Sequence, residues 1–408
     1  GSALDPAHTV VVAGHGAELV EAAAKAYDPG VTIAVQSEQL GTAHAVSQAR
    51  DALVDFDGDA LVLYGDTPFI RAETLAAMTA ARLTHDIVVL GFEAADPGRY
   101  GRLILKDDQL DRIVEFKDAT DEERNVTLCN SGVVAANAAT LFDLIDAVGN
   151  DNAAGEYYLT DIIGIARTRG LRATVVRCAE AETLGINSRD ELAQAEALFQ
   201  ANARQMAQED GVTLIAPETV FFAHDTVIGR DTVIEPNVVF GPDVTIESST
   251  TIRAFSHLEG CHVSRGSVVG PYARLRPGAE LAENVKVGNF VEIKNAQIAA
   301  GAKVNHLSYI GDATIGARSN IGAGTITCNY DGVFKHHTTI GEDAFVGSNT
   351  MLVAPVTVGN AAMTASGSVV TRNVPAGDLA VARAKQDNKA GFAIRLFAKL
   401  RALKAKGS

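Results

Sequence analysis

A chain of 408 residues that is 47% hydrophobic has length for two domains with separate cores and is not a disordered chain. A net charge of −15 argues against sequence-independent nucleic-acid binding, which needs a concentrated basic surface. Cys129, Cys178, Cys261 and Cys328 stand far apart with no CxxC pair, so no disulfide framework or zinc site is suggested and a cytoplasmic protein is expected. No signal peptide and no apolar run near 18 residues is present, so no membrane span is expected. Gly1-Ser2 and Gly407-Ser408 read as cloning remnants.

Residues 1–188 alternate short β-branched runs with helical stretches. The runs are "TVVVAG" from Thr9, "DALVLYGD" from Asp59, "HDIVVLGF" from His85 and "RATVVRC" from Arg172. Between them lie "AELVEAAAKAY" and "AETLAAMTAARL", with apolar spacings of three and four. That alternation predicts an α/β layer with a largely parallel sheet. Residues 189–212 then read as a linker helix.

Over residues 213–375 the period becomes six. Ile228, Ile234, Phe240, Ile246, Ile252 and Leu258 share one grid, which slips by one and resumes at Val263. Further slips fall between Ile293 and Ile298 and between Ile310 and Ile315; after a loop the grid returns at Ile340, Val346 and Leu352. This is the hexapeptide signature of a parallel β-helix, with the aliphatic pointing into a narrow prism and small residues at its corners. Residues 376–408 form a tail with a basic amphipathic stretch, read first as a helix packed on an assembly or standing in solvent and second as a membrane-surface helix.

On such a prism only one position in six must be buried. A lone exposed His, or solvated Arg276, Lys294 and Lys335, would need no function. Here cations, Tyr309, Asn amides and His306 fall in one part of the solenoid, within "RLRPGAE", "GNFVEIK", "HLSYIGDATIG" and "NIGAGTITCNYDG". Two or three cations can hold a phosphate, and a neutral His can take a proton near pH 7. Flat faces lack pockets, so a ligand would bind in clefts between prisms packed side by side.

"QSEQLGTAHA", "YGDTPFI", "YGRLIL", "IVEFKDAT", "CNSGV", "GEYYLTDII" and "GINSRDEL" precede these motifs in order. Together they strongly resemble the bacterial bifunctional family of N-acetylglucosamine-1-phosphate uridylyltransferase and glucosamine-1-phosphate acetyltransferase, over nearly the whole chain. The resemblance implies a Rossmann-like nucleotidyltransferase domain, a left-handed β-helix and a homotrimer making UDP-N-acetylglucosamine in the cytoplasm. His306 is then the general base of acetyl transfer. Arg276, Lys294, Tyr309 and Asn320 would hold the sugar phosphate. Ala323, Asn329, Tyr330, Ser348, Ser366 and Arg383 would contact acetyl-CoA, although the family usually carries Ala at the position of Ser366. In the first half, Gln36, Gly41 and Thr42 match the uracil-reading motif. Tyr64, Gly65, Gly101, Glu115 and Asn130 match the sugar-nucleotide contacts for UTP and UDP-N-acetylglucosamine. Asp66 and Asn187 match the Mg²⁺ ligands.

One departure stands out. The family opens with a strand and a Gly-rich loop that cradles the nucleotide phosphates. This sequence starts at "GSALDPAHTVVVAGHG", which resembles the family's second strand. The expectation is a truncated front domain, deficient in uridylyl transfer, and an intact acetyltransferase. The alternatives are an acyltransferase for another amino-sugar and a non-catalytic trimeric scaffold.

Overall fold

The computed structural model describes residues 4–107 and 109–406; the terminal dipeptides read as cloning remnants lie outside it. The chain divides into two compact units, Gly1–Ala195 and Glu196–Ser408.

In the first unit, β1 (Val10–Ala13) and β2 (Thr32–Val35) pair in parallel around α1 (Ala17–Tyr27), and α2 spans Thr42–Ser47. A six-stranded sheet follows, built from β3 (Asp59–Val62), β4 (Ile87–Glu93), β5 (Arg102–Lys106), β6 (Gln109–Val114), β7 (Leu128–Asn137) and β8 (Ala173–Cys178). Helices α3 (Ala72–Arg82), α4 (Asp121–Arg124), α5 (Ala138–Ile145) and α6 (Asp161–Thr168) connect these strands. Asn137 starts α5 by accepting the N–H groups of Ala139 and Thr140 on its side-chain oxygen.

This sheet is mixed rather than largely parallel. Only β4 and β8 pair in parallel; β7 runs antiparallel to β3, β4 and β5, and β5 antiparallel to β6. The long β7 carries "CNSGV", which reads as a contact motif, and its polar residues hide the strand from a search for apolar runs.

Helix α7 (Arg189–Glu209) contains the division between the units. Its second half closes the open end of the solenoid. Gln200 donates to the carbonyl of Phe222 at 2.7 Å and accepts its N–H at 2.9 Å, while Ala203 and Ala207 pack on the core.

The second unit is a left-handed parallel β-helix with three faces. The first face is a ten-stranded sheet from Thr213–Leu214 to Leu379–Ala380. The second and third are joined in a fourteen-stranded sheet, because Glu292–Ile298 and Tyr309–Ile315 cross their shared edge unbroken. Every strand pair in both sheets is parallel, and Ile234, Ile252, Leu258, Leu275, Ile293 and Ile310 are fully buried along the axis.

The corners explain the period. Asp231, Asn237, Asp243, Ser249 and Phe255 all adopt positive φ, three residues after the inward-pointing residue of each hexad. Asn and Asp tolerate that left-handed conformation because their short side chains bond locally. Each slip of the grid is a corner one residue shorter: Leu258, Ile293 and Ile310 are followed after two residues by Gly260, Asn295 and Asp312 at positive φ. A regular coil therefore returns after eighteen residues, as Val227 to Thr245, and a shortened one after seventeen, as Glu292 to Tyr309. The coil after that needs twenty-five, Ala313 to Thr338, because a loop is extruded at Asn329–His337.

After the ladder, α8 (Phe392–Lys406) forms at the basic stretch with Phe392, Leu396, Leu400 and Leu403 exposed. No described helix is long and apolar enough to cross a membrane.

Candidate functional site

The second face and its two edges gather most of the candidate residues of the solenoid. His306 ends a first-face strand, just before the left-handed corner at Leu307. The shortened coil sets it directly above Asn289. His306 Nδ1 is 3.0 Å from Asn289 Oδ1. An amide oxygen can only accept, so Nδ1 carries the proton and Nε2 keeps a free lone pair. Sequence reasoning missed Asn289, although it lies in the quoted "GNFVEIK".

Beyond the Leu307 corner, Tyr309 opens the second face opposite Glu292, and Gly311 stands opposite Lys294. A methyl group on Gly311 would overlap the Tyr309 ring, so this glycine lets the phenol lie across the face. Arg276 donates to Glu292 at 2.8 Å, while its Nε, shielded from solvent, has no partner among the described residues. Lys335 comes down from the extruded loop against Lys294. Lys335 first, and Arg276 after it, hold the Lys294 ammonium below the ordinary lysine range. Three clustered cations repel one another until an anion arrives. Lys335 completes this cluster, and its place at the loop base was not legible in the sequence.

A buried acid stands beneath the cations. Burial raises the Asp312 carboxyl, but hydrogen bonds from Asn295 and Asn329, with Lys335 and Lys294 nearby, bring it below its ordinary value. Asn295 donates to it at 2.6 Å and Asn329 binds its other oxygen. The three residues stack at the shortened edge, one per coil, and Asn329 roots the loop.

The expected acetyl-CoA residues fall into two groups. Ala323 and Ser348 follow His306 up the first edge: Gly324 N–H donates to His306 O at 3.1 Å, Asn349 to Ala323 O at 2.7 Å, and Gly367 to Ser348 O at 2.8 Å. Ser366 is next on this edge, and Arg383 lies against Gly367. Asn329 and Tyr330 stand instead at the second edge. Asn320 is also apart: it pairs with Lys303 and Phe345 on the first face, away from Lys294 and Tyr309.

In the first unit, the buried Gln36 donates to Gly41 O at 3.2 Å and meets His44 Nδ1 at 3.0 Å. Gly41 has φ +119 and packs on the Tyr157 backbone, where a side chain would collide. Thr42 Oγ1 accepts the Leu159 N–H at 2.9 Å. Tyr64 and Asn130 line a cavity with Gly132 and Thr160. Burial pushes the Tyr64 phenol up, and burial likewise raises Glu115, against the hydrogen bond it accepts from Thr160 at 3.1 Å. Asn130 N–H donates to Gly101 O at 2.8 Å. Gly65 leads to Asp66, whose carboxylate and the Asn187 amide both flank Gly185.

A hexad prism in one unit and a helix-flanked mixed sheet in the other define the class, a two-unit transferase. Residues 225–260 and 337–372 match the family model of bacterial transferase hexapeptide (six repeats), and residues 5–174 match nucleotidyl transferase. The chain is 68% identical over 405 residues to a bifunctional protein GlmU of Ruegeria sp. (strain TM1040), covering 99% of this chain and 90% of the relative. Against the GlmU of Ruegeria pomeroyi identity is 69% with the same coverage, and against that of Paracoccus denitrificans 61% over 98% of this chain and 90% of the relative. The chain belongs to the GlmU family of bifunctional proteins, whose two transferase activities lead through acetylation and uridylylation to UDP-N-acetylglucosamine.

Proposed function

We propose that the β-helix transfers the acetyl group of acetyl-CoA to the 2-amino group of glucosamine-1-phosphate, with His306 as the base. The observation that carries this reading is the Asn289–His306 hydrogen bond at 3.0 Å, which leaves Nε2 free beside a face bearing three cations. The amine must lose a proton as it attacks the thioester, and a positioned imidazole accepting it contributes about 10²–10⁴ in rate. Arg276, Lys294 and Lys335 hold the phosphate, and Tyr309 lies against the sugar. Backbone N–H groups or a Ser hydroxyl of the first edge stabilise the oxyanion.

The site is completed between copies of the chain, in a homotrimer. Asn320 stands on a different face from Lys294, and the acetyl-CoA residues are divided over two edges, so one prism alone does not gather them. Phe255, Tyr272 and Phe290 form an exposed stack up the first edge, with centroids 4.9 and 5.2 Å apart, and Leu307 continues it to His306. An exposed apolar strip of this kind suits burial against a second copy. Sedimentation should give three times 42.7 kDa; a monomer active at full rate would contradict the shared site.

The first unit reads UTP with Gln36, Gly41 and Thr42 and the sugar nucleotide with Tyr64, Gly65, Gly101, Glu115 and Asn130. Asp66 and Asn187 would hold Mg²⁺; a carboxylate and an amide oxygen with phosphate oxygens and water suit that hard cation. Bound there, the ion would neutralise charge on the phosphates. The compartment is the cytoplasm. The acetyl-transfer reading is tested by release of free thiol from acetyl-CoA with glucosamine-1-phosphate against other amino-sugars. Preference for a different amino-sugar would replace the acceptor named here.

A further inference from the structure

The extruded loop is closed by a pair of side chains that the roles above leave unused. His336 Nε2 lies 2.7 Å from Asp331 Oδ2. The other Asp331 oxygen accepts the N–H groups of Val333 at 2.8 Å and Phe334 at 2.7 Å, and Asp331 N–H donates to Phe334 O at 3.1 Å. His336 N–H donates to Asn329 O at 2.7 Å, and Tyr330 faces Lys335 in an antiparallel bridge. The turn is thus wrapped around one carboxylate, which the His336 contact and then the two backbone N–H groups hold down at about 2. Its tip, Val333 and Phe334, is exposed and adds little packing.

We propose that His336 is a positioning residue for acetyl transfer, holding the loop closed through Asp331 so that Lys335 stays beside Lys294. The inference rests on the acetyl-transfer reading above. One hydrogen bond thereby sets both a cation of the phosphate cluster and Tyr330, its bridge partner on the expected acetyl-CoA side. Asp331 is the charged group in direct contact with the imidazole.

The test compares wild type, His336→Ala and His336→Gln as full chains in the thiol-release assay, varying glucosamine-1-phosphate. His336→Ala should raise KM for the sugar phosphate about tenfold while kcat stays within about twofold. His336→Gln keeps an N–H donor, so it should recover most of the affinity. A wild-type KM in His336→Ala, or a KM in His336→Gln no nearer the wild-type value than that of His336→Ala, would overturn the proposal. A wild-type protein that releases thiol with another amino-sugar alone would overturn the acetyl-transfer reading, and this inference with it.

Discussion

His306 Nδ1 and Asn289 Oδ1 stand 3.0 Å apart on successive coils of one edge. The relationship follows from coil length, since the corner at Asn295 is one residue short and brings position 306 over position 289. Asn289 selects the tautomer that leaves Nε2 unprotonated in the neutral ring, as the proposed base requires. Asn289→Ala frees the ring and should lower kcat about tenfold with little change in KM for the sugar phosphate, measured by thiol release. A rise in KM alone would assign Asn289 to sugar binding instead.

The cation cluster predicts a pH dependence of acceptor binding. Lys335 and Arg276 lower the Lys294 pKa, so Lys294 loses its proton earlier than an ordinary lysine as pH rises. A phosphate prefers the protonated form, so KM for glucosamine-1-phosphate should climb on the alkaline side. Lys335→Ala removes the largest cause; KM rises overall, but the alkaline climb moves to higher pH. An unmoved climb would show that another group titrates.

Gly311 makes room for Tyr309. A methyl there meets the phenol ring, while the buried Gly311 N–H, donating to Thr327 Oγ1 at 2.8 Å, ties the backbone in place. Gly311→Ala should displace the ring and raise KM for the sugar phosphate about tenfold, as Tyr309→Ala should. If the glycine variant binds its acceptor normally, Tyr309 does not touch the sugar.

Much of the solenoid was legible because an axial position closed to water favours apolar, mostly aliphatic, side chains, so Ile234, Leu275 and Ile293 repeat in step. Even the shortened corners were visible, as slips after Leu258, Ile293 and Ile310, though only the folded chain shows that all three fall on one edge with the loop. The mixed sheet was not legible, because β7 carries polar residues in a sequence searched for apolar runs. Asn320 resembled a partner of Lys294 by motif, yet hexad phase puts it on another face. Lys335 could be read as a solvated charge and His336 carried no reading, because a loop's path is set by contacts such as Asp331–His336 and Asn329–Asp312 that no periodicity announces.

The central claim is that an imidazole at the first edge takes the proton of the attacking amine. The most direct measurement is kcat for thiol release by His306→Ala at saturating glucosamine-1-phosphate and acetyl-CoA. A fall of about 10²–10⁴ with nearly unchanged KM values is the predicted result. A variant turning over at the wild-type rate would contradict the account and leave the prism without its assigned chemistry.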